Sequence, residues 1–322
     1  MKNIFSSPKA NILVIGDVML DRYLGGFVER ISPEAPVPIV VLESDESRLG
    51  GAANVALNLQ HLGAYPVLVS AVGEDSGADQ LGTLLQGVGN ETGVVLRYAS
   101  RKTTVKTRVL AKHQQLLRFD DEITHNLAPE EEEELINAIT YLLKRDPYKA
   151  IIFQDYNKGV LTPKLISAVL ALADTYSVPT VVDPKLHNFF AYKGVTLFKP
   201  NLREINTALD ANFSASLEDL READRQLRSR LQHRYTLITL GEKGLFYADD
   251  QGHAEIIPAH TRQIADVCGA GDTVVSVAAW ALAANSALPE IAALSNLAGG
   301  IVCEYAGVVP IDKNRLEREW QA

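Results

Sequence analysis

The sequence predicts an α/β fold: a central, mostly parallel sheet with helices on both faces. Short apolar segments typical of buried strands alternate along the chain with segments that have a helical hydrophobic period. The first strand is predicted at Asn11–Gly16 and the first helix at 51–62. Because strands that alternate with helices usually pair in parallel, the alternation itself predicts the sheet.

The same two patterns continue to the end of the chain. Strands are predicted at 66–72, 150–154, 180–182, 196–198 and 236–240. Helices are predicted at 129–144, 163–176, 217–231, 272–284 and 289–305. We find no internal repeat and no low-complexity linker, so one domain is expected over residues 1–322.

Two segments interrupt the alternation of strands and helices. Residues 23–43 are rich in Val, Ile and Pro. Within residues 101–120, short stretches show the alternation of residue types that is typical of strands. They predict a small separate sheet that forms a lid, with segments at about 20–46 and 98–121. Surface loops are the alternative, because the prolines in the first segment permit only edge strands or turns.

Composition excludes several classes of function. The 322 residues are 47% hydrophobic and 22% charged, with a formal net charge of −9 and no long basic run, so nucleic acid is not an expected partner. No apolar stretch approaches the ~18 residues of a membrane span, and the N-terminus lacks an apolar signal region. Two cysteines are too few for a disulfide framework, and a cytoplasmic location is expected.

The segment 266–273, Asp-Val-Cys-Gly-Ala-Gly-Asp-Thr, is the most informative motif. It opens directly into an apolar run, which predicts a glycine loop before a helix N-terminus, a place that attracts anions. Asp272 would lie beside this anion site, as a base must in phosphoryl transfer to an alcohol. Alternatively, Gly269 and Gly271 only turn the chain while Asp272 caps the helix.

Two further motifs also precede helices. Gly50 and Gly51 would let a ligand approach the backbone, and the amide of Asn54 suits sugar hydroxyls. Asn201 and Glu204 lie on one face of a first helical turn, where they could hold the water shell of Mg²⁺. A capping box explains the second motif equally well.

Two weaker candidates follow strands. Lys185 lies where ligands gather in open α/β sheets, and either meets a phosphate or is a solvated surface lysine. The segment 239–244 could lie along a nucleotide or form a hairpin turn. The sequence has no P-loop, no dinucleotide-binding glycine fingerprint, no His-x-x-x-His pair and no nucleophile elbow.

Together these motifs resemble the ribokinase-like (PfkB-type) carbohydrate kinases. The resemblance rests on Gly-Gly-Ala-Ala-Asn at 50–54, Asn-x-x-Glu at 201–204 and Gly-Ala-Gly-Asp at 269–272, in that family's order. Finer segments are similar to one branch, the kinases of D-glycero-β-D-manno-heptose 7-phosphate in ADP-heptose synthesis. These segments are 16–23, 30–38, 101–108, 114–120 and 156–161.

The resemblance implies a ribokinase-like fold, ATP and Mg²⁺ as cofactors, and a role for each candidate residue. Asp272 would deprotonate the anomeric hydroxyl while the N–H groups of Gly269, Ala270 and Gly271 hold the developing charge. Asn201 and Glu204 would place Mg²⁺. The sugar hydroxyls would be bound by Asp17, Gly50, Gly51 and Asn54; the 7-phosphate by Lys106, Arg118, Lys158 or Lys185; and the nucleotide by Thr239, Gly241 and Asn296.

Further expectations concern partners. The lid would close over the sugar and join two copies of the chain into a homodimer, and a separate nucleotidyltransferase would complete the pathway. Cys268 stands where threonine is commoner in these kinases, and its place before a helix predicts a lowered thiol pKa. The alternatives are a PfkB-type kinase for another sugar or sugar phosphate, or a catalytically silent sugar- or nucleotide-binding protein. A dinucleotide-dependent oxidoreductase is disfavoured by the missing fingerprint.

Overall fold

Thirteen strands are present in the computed structural model, which describes residues 4–6, 9–88, 93–112, 114–260 and 262–321. In chain order they are β1 Asn11–Gly16, β2 Val18–Ile31, β3 Pro38–Gly51, β4 Tyr65–Gly73, β5 Val94–Tyr98, β6 Thr104–Ala111, β7 Gln114–Asp121, β8 Ala150–Gln154, β9 Thr180–Asp183, β10 Leu197–Phe198, β11 Tyr235–Thr239, β12 Leu245–Ala248 and β13 Ala254–Ile257.

Nine of these strands form the central sheet, in the order β13-β12-β11-β10-β9-β8-β1-β4-β5. From β5 to β11 every neighbouring pair is parallel, whereas β12 and β13 add antiparallel strands at one edge. The predicted mostly parallel sheet is therefore confirmed. The segment 239–244 is a hairpin connection between β11 and β12, one of the two alternatives that the sequence left open.

The other four strands form a small separate sheet in the order β3-β2-β6-β7. Strand β2 pairs antiparallel with β3 and parallel with β6, and β6 pairs antiparallel with β7. The two segments predicted to leave the α/β alternation therefore do meet in one sheet. The prolines do not prevent this, because Pro33 and Pro36 lie in the connection between β2 and β3, and Pro38 begins the edge strand β3.

Nine α-helices lie within the described residues and cover both faces of the central sheet. They are α1 Ala52–His61, α2 Ser76–Leu85, α3 Pro129–Arg145, α4 Pro163–Thr175, α5 Leu202–Leu209, α6 Leu217–Leu231, α7 Ala270–Ala283, α8 Leu288–Val302 and α9 Lys313–Gln321. One apolar core packs α1, α2, α7, α8 and α9 on the sheet, and a second packs α3 to α6 on the opposite face. Alternate residues of each buried strand supply the two cores.

Local sequence explains where several helices begin. Helix α4 starts with Pro163 in its first turn, and the hydroxyl of Thr162 accepts a hydrogen bond from the N–H of Leu165 at 3.1 Å. Ser216 caps α6 in the same way. No helix among the described residues is long and apolar enough to cross a membrane.

Candidate active site

Several of the predicted site residues lie at the carboxyl ends of the parallel strands, together with Asp183, which was not predicted to be one. Asp17 follows β1, Asp183 ends β9, and Thr239 ends β11. Helices α1 and α7 begin at the same edge, since Asn54 in the first turn of α1 contacts Asp272 in the first turn of α7. Parallel strands bring their carboxyl ends to one edge, so the fold itself forms this site.

Asp272 lies at the centre of this edge and is only 3% exposed. Its Oδ2 accepts a hydrogen bond from the Asn54 amide at 2.8 Å. Its Oδ1 accepts two, from Nε2 of Gln154 at 2.9 Å and from the hydroxyl of Tyr156 at 2.7 Å. Three donors from three separate elements therefore fix the orientation of this carboxylate.

The surroundings of Asp272 suit a general base. Burial raises the pKa of its carboxyl to about 6, the hydrogen bonds from Asn54 and Tyr156 oppose that rise, and the charges of Asp183 and Asp21 add to it. A carboxylate with a pKa near 6 is a stronger base than an ordinary aspartate and remains ionised at neutral pH.

The glycine loop before α7 has the geometry that its sequence predicts. Gly269 precedes the helix with a φ of 76°, in the left-handed region that favours glycine. A Cβ at this position would lie 3.2 Å from Nδ2 of Asn54 and 3.2 Å from a methyl group of Val308. The N–H of Ala270 donates to the carbonyl of Val267 at 3.3 Å, so Ala270 is already engaged within the turn.

The diglycine 50–51 ends β3 and leads directly into α1. Gly51 has a φ of 59°, and a Cβ there would lie 2.4 Å from the carbonyl oxygen of Asp17. Its neighbour Ala52 donates its N–H to that same carbonyl at 2.9 Å. The tight turn brings the start of α1, and with it Asn54, against the end of β1.

Asp17 is buried, and both of its carboxylate oxygens accept hydrogen bonds from backbone N–H groups. Its Oδ2 accepts from the N–H groups of Tyr156 at 2.8 Å and Lys158 at 3.0 Å, and its Oδ1 accepts from Val160 at 3.1 Å. Burial raises its pKa, which these three bonds counteract. In this structure Asp17 therefore organises the loop after β8, and its predicted contact with a sugar hydroxyl stays a prediction.

Three of the four predicted phosphate ligands lie together at the small sheet. Lys106 pairs with Asp120 at 3.0 Å and with Glu122 at 3.1 Å. Arg118 also pairs with Asp120, and Lys158 with Glu122 at 2.6 Å. We call these five side chains the basic cluster. Its three cations come from β6, β7 and the loop after β8, which only the tertiary structure brings together.

The fourth candidate, Lys185, belongs to a different network. Its Nζ lies 2.6 Å from Oε1 of Glu204 and 3.7 Å from Oδ1 of Asp183. Asp183 also pairs with the buried Lys199 at 3.1 Å. Burial alone would lower the pKa of Lys185, but the neighbouring carboxylates of Asp183 and Glu204 raise it. The Lys185 ammonium group therefore stays charged and paired with Glu204.

Asn201 and Glu204 form a capping box at the start of α5. Oδ1 of Asn201 accepts from the N–H of Glu204, and Oε2 of Glu204 accepts from the N–H of Asn201, both at 2.8 Å. The capping alternative is thus present in the structure. It does not remove the metal hypothesis, because each carboxylate oxygen of Glu204 has a second lone pair.

The donor set fits a water-bound divalent ion better than a protein cage. No group of three or more His, Cys, Asp or Glu side chains within the described ranges could hold a metal ion directly. Mg²⁺ characteristically keeps several waters and binds few protein ligands. Glu204 and Asn201 would therefore hold such an ion through its water shell, and the ion would neutralise charge on the transferred phosphoryl group.

The predicted nucleotide residues lie near this end of the sheet. Thr239 forms an isolated bridge with Asn201, and Gly241 is exposed in the connection after β11. Asn296 on α8 donates to the carbonyl of Pro258 at 2.9 Å. Their role in nucleotide binding stays a prediction.

The structure corrects the expectation for Cys268. Burial, a hydrogen bond with Asp266 and the charge of that carboxylate together raise the pKa of its thiol to about 11. The position of Cys268 before a helix N-terminus had predicted a lowered thiol pKa. Burial and the neighbouring carboxylate, which the helix argument ignored, make Cys268 a poor thiolate.

Sequence reasoning missed Gln154 and Tyr156, the two donors to Oδ1 of Asp272. Gln154 ends a buried strand, and a polar residue at the carboxyl end of an otherwise apolar strand is the signal that was available. Tyr156 lies in a motif of the heptose-kinase branch but was not assigned a role there.

This fold, with a buried aspartate behind a glycine turn at a helix start, is that of a carbohydrate kinase. The model of the pfkB family carbohydrate kinases matches residues 9–314, and the chain belongs to that family. Enzymes of this family use ATP together with a divalent metal ion.

Comparisons with particular proteins narrow the position within the family. The chain is 43% identical over 313 residues to the bifunctional protein HldE of Methylobacillus flagellatus, covering 97% of this chain and 63% of that protein. It is 36% identical to the protein of the same name from Campylobacter curvus, covering 97% of this chain and 65% of that protein. The chain thus spans less than two thirds of the length of these relatives.

Solved structures share the fold at low sequence identity. Phosphofructokinase-2 from Escherichia coli superposes with a TM-score of 0.81 at 18% identity, covering 97% of this chain and 98% of that one. The ribokinase of Arabidopsis thaliana, complexed with ribose and ATP, gives a TM-score of 0.72 at 15% identity, with 97% and 98% covered. The predicted ribokinase-like fold is confirmed.

Proposed function

We propose that the chain transfers the γ-phosphoryl group of ATP to O1 of D-glycero-β-D-manno-heptose 7-phosphate. The product would be the 1,7-bisphosphate, a precursor of ADP-heptose for the lipopolysaccharide core. The observation that carries the proposal is the buried Asp272, held by three donors beside the glycine loop. The relatives named HldE and the heptose-kinase motifs support the choice of sugar.

The chemistry assigned to the chain is proton transfer and charge stabilisation. Asp272 takes the proton from the acceptor hydroxyl as that oxygen attacks phosphorus. The N–H groups of Gly269 and Gly271 at the start of α7 would face the negative charge of the phosphoryl group, because the first N–H groups of a helix have no partner within it. The N–H of Ala270 would first have to leave the carbonyl of Val267. The contribution of these N–H groups is largest in the transition state, where the charge on the phosphoryl oxygens is greatest.

The basic cluster is proposed to hold the phosphate that the sugar already carries. Lys106, Arg118 and Lys158 converge from three elements on Asp120 and Glu122. A phosphate dianion would compete with Asp120 and Glu122 for these cations. Lys185 is then assigned to the nucleotide side, since it pairs with Glu204.

Mg²⁺ is the proposed divalent ion, held by Asn201 and Glu204 through water. The support is the chemistry of the donors, an amide and a carboxylate oxygen, which hard cations prefer. Thr239 and Gly241 would contact the nucleotide at the same end, with Asn296 on its far side.

The small sheet is proposed to act as a lid and as the contact between two copies of the chain. Large apolar side chains are exposed on its strands and in the β2–β3 connection: Val28, Ile31, Val37, Val41, Leu42, Leu117 and Phe119. Such a concentration of exposed apolar groups is typical of an interface. Sedimentation of the wild type and of Leu117→Asp tests this: a dimer that the variant loses supports it, and a monomeric wild type contradicts it.

The substrate is tested by coupled ADP release with ATP and Mg²⁺. The panel contains D-glycero-D-manno-heptose 7-phosphate, sedoheptulose 7-phosphate, fructose 6-phosphate, ribose and fructose. Turnover confined to the manno-heptose phosphate is the expected result. Turnover on another sugar would keep the kinase and discard the heptose. Silence across the panel with ATP still bound would favour a binding protein. The separate nucleotidyltransferase and the cytoplasmic location stay predictions.

A further inference from the structure

Tyr156 connects three parts of the candidate site. Its hydroxyl donates to Oδ1 of Asp272 at 2.7 Å, and its backbone N–H donates to Oδ2 of Asp17 at 2.8 Å. The Nζ of Lys185 lies 5.5 Å from the centre of its ring. Asp272 and the cation that pairs with Glu204 therefore contact the side chain of Tyr156, and Asp17 binds its backbone.

The loop that carries Tyr156 is fixed by its own hydrogen bonds. Asp17 accepts from three of its N–H groups, those of Tyr156, Lys158 and Val160. Asn157 adopts a φ of 54°, which asparagine tolerates better than most residues, and its N–H donates to Asp155 at 2.8 Å. These hydrogen bonds fix the backbone from which the Tyr156 side chain extends to Asp272.

The two oxygens of Asp272 are not equivalent. Oδ1 accepts from both Gln154 and Tyr156, which uses both of its lone pairs. Oδ2 accepts from Asn54 at 2.8 Å, and among the described residues no second donor to it is recorded. Oδ2 is therefore the oxygen that can still accept the proton of a substrate hydroxyl.

We propose that Tyr156 is a positioning residue that occupies Oδ1 of Asp272, so that Oδ2 alone receives the substrate proton. Gln154 assists on the same oxygen. The proposal rests on the proposed role of Asp272 as the base and adds which atom acts and what selects it. The Tyr156 hydroxyl also stabilises the ionised carboxylate, because a donor to a charged acceptor favours the charged form.

Several charged groups face this carboxylate and have to be held constant. Asp183 and Asp21 raise the pKa of Asp272, whereas Lys185 is attracted to it. Lys199 pairs with Asp183. A test of Tyr156 must leave all four in place, which Tyr156→Phe does because it removes one oxygen atom and keeps the ring.

The chain provides a matched control in Tyr192. Its hydroxyl donates to Oδ2 of Asp155, also at 2.7 Å, and burial raises the pKa of that carboxyl to about 6 as well. The Tyr192 hydroxyl has no recorded bond to Asp272. Tyr192→Phe therefore also removes a tyrosine hydroxyl that donates to a buried carboxylate, but that carboxylate is Asp155 and not Asp272.

The direct test is a pH titration of the Asp272 carboxyl by infrared difference spectroscopy on the substrate-free protein, with Asp272→Asn as the reference. The expected result is that Tyr156→Phe moves the titration midpoint upwards by about one pH unit, since one charge-assisted hydrogen bond is lost. Gln154→Met should move it in the same direction. Tyr192→Phe should leave it unchanged. An unmoved midpoint in both Tyr156→Phe and Gln154→Met would overturn the proposal.

Kinetics on whichever panel sugar is phosphorylated give the second readout. Tyr156→Phe should lower kcat about tenfold while the KM for ATP stays within twofold, because the base is misplaced and the nucleotide site is not. An equal loss in Tyr192→Phe would indicate a structural effect and contradict the proposal. If Asp272→Asn keeps its turnover, both the role of Asp272 as the base and the positioning role of Tyr156 are contradicted. If Asp272→Asn is inactive but Tyr156→Phe behaves as wild type, only the positioning role falls.

Discussion

The amide of Asn54 donates a hydrogen bond to Oδ2 of Asp272 at 2.8 Å, across 218 positions of sequence. Each residue lies in the first turn of a helix that a glycine turn precedes. Asn54 is fully buried and its own amide oxygen accepts from Asn58 at 3.2 Å, so it cannot rotate freely. The two glycine motifs of the sequence thus serve one purpose, to bring a fixed donor against the carboxylate. The predicted contact of Asn54 with sugar hydroxyls stays a prediction beside this observed role.

Asp272→Asn should reduce kcat by about 10³-fold, because general-base catalysis typically contributes 10²–10⁴-fold. Affinity for ATP should remain within a few-fold of the wild type, since a base acts in the transition state. Steady-state kinetics and calorimetric ATP titration check both. A variant with near-normal kcat would show that another group is the base.

The pH profile of the wild type should fall on its acid side with a midpoint near 6. Burial raises the pKa of Asp272 to about 6, so below that pH the carboxyl is protonated and cannot accept the substrate proton. Measurement of kcat/KM between about pH 3.5 and 8 reports the pKa of the free enzyme. The sugar phosphate also titrates near pH 6, so a non-phosphorylated acceptor is the control wherever one is turned over. An acid limb near pH 4 would contradict the burial argument.

Gly269→Ala should damage both stability and activity. The residue has a φ of 76°, and the new Cβ would lie 3.2 Å from Nδ2 of Asn54, the donor to the base. The left-handed backbone alone costs about 1–2 kcal/mol of unfolding free energy. Gly194→Ala is the matched control, because Gly194 has the same φ of 76° and nothing within 4 Å of the added Cβ.

Both variants should lose similar backbone stability in denaturant titration, whereas only Gly269→Ala should lose kcat, by tenfold or more. Equal kcat in the two variants would mean that the contact between the Gly269 position and Asn54 does not influence the base.

Lys106→Met should raise the KM for the phosphorylated sugar about tenfold or more while leaving the KM for ATP nearly unchanged. Lys106 pairs with Asp120 and Glu122, and without its charge these carboxylates would repel the substrate phosphate. Lys164→Met is the control, since Lys164 also pairs with two carboxylates but on the exposed surface of α4. An unchanged KM in Lys106→Met would remove the basic cluster from the proposed phosphate site.

Glu204→Gln should raise the Mg²⁺ concentration for half-maximal activity several-fold without unfolding α5. Glutamine can preserve the capping box with Asn201, so the change removes charge and keeps the cap. Asn201→Ala is the comparison, because loss of an N-cap costs about 1 kcal/mol of stability. Activity against Mg²⁺ concentration and thermal unfolding separate the two roles. An unchanged Mg²⁺ requirement would leave Glu204 as a capping residue only.

Much of the secondary structure was predictable because single segments carried their own periodic signal. Strands β1 and β8 and helix α6 have the predicted bounds. Helix α9 and strand β5 were missed, because a short polar helix and a half-exposed edge strand have weak apolar periods. Prediction of α8 extended past its observed end at Val302, where the apolar pattern continues but the backbone turns.

The four predicted phosphate ligands show that reasoning from single segments cannot tell which basic side chains lie together. Lys106, Arg118, Lys158 and Lys185 were equivalent as four basic residues in polar motifs. The structure divides them, three in the basic cluster and Lys185 beside Glu204, because strand pairing in the small sheet decides which side chains meet.

The sequence by itself determined the family and the mostly parallel sheet, and it singled out Asp272 as the candidate base, because each depends on a local motif or a local period. The tertiary structure alone decided what surrounds that base. Gln154, Tyr156 and Asn54 reach Asp272 from β8, the loop after it and α1, and their convergence follows from sheet order. The same is true of Cys268, whose pKa depends on burial and on the Asp266 carboxylate. Hydrogen-bond partners and desolvation are properties of the packed chain, so no segment encodes them alone.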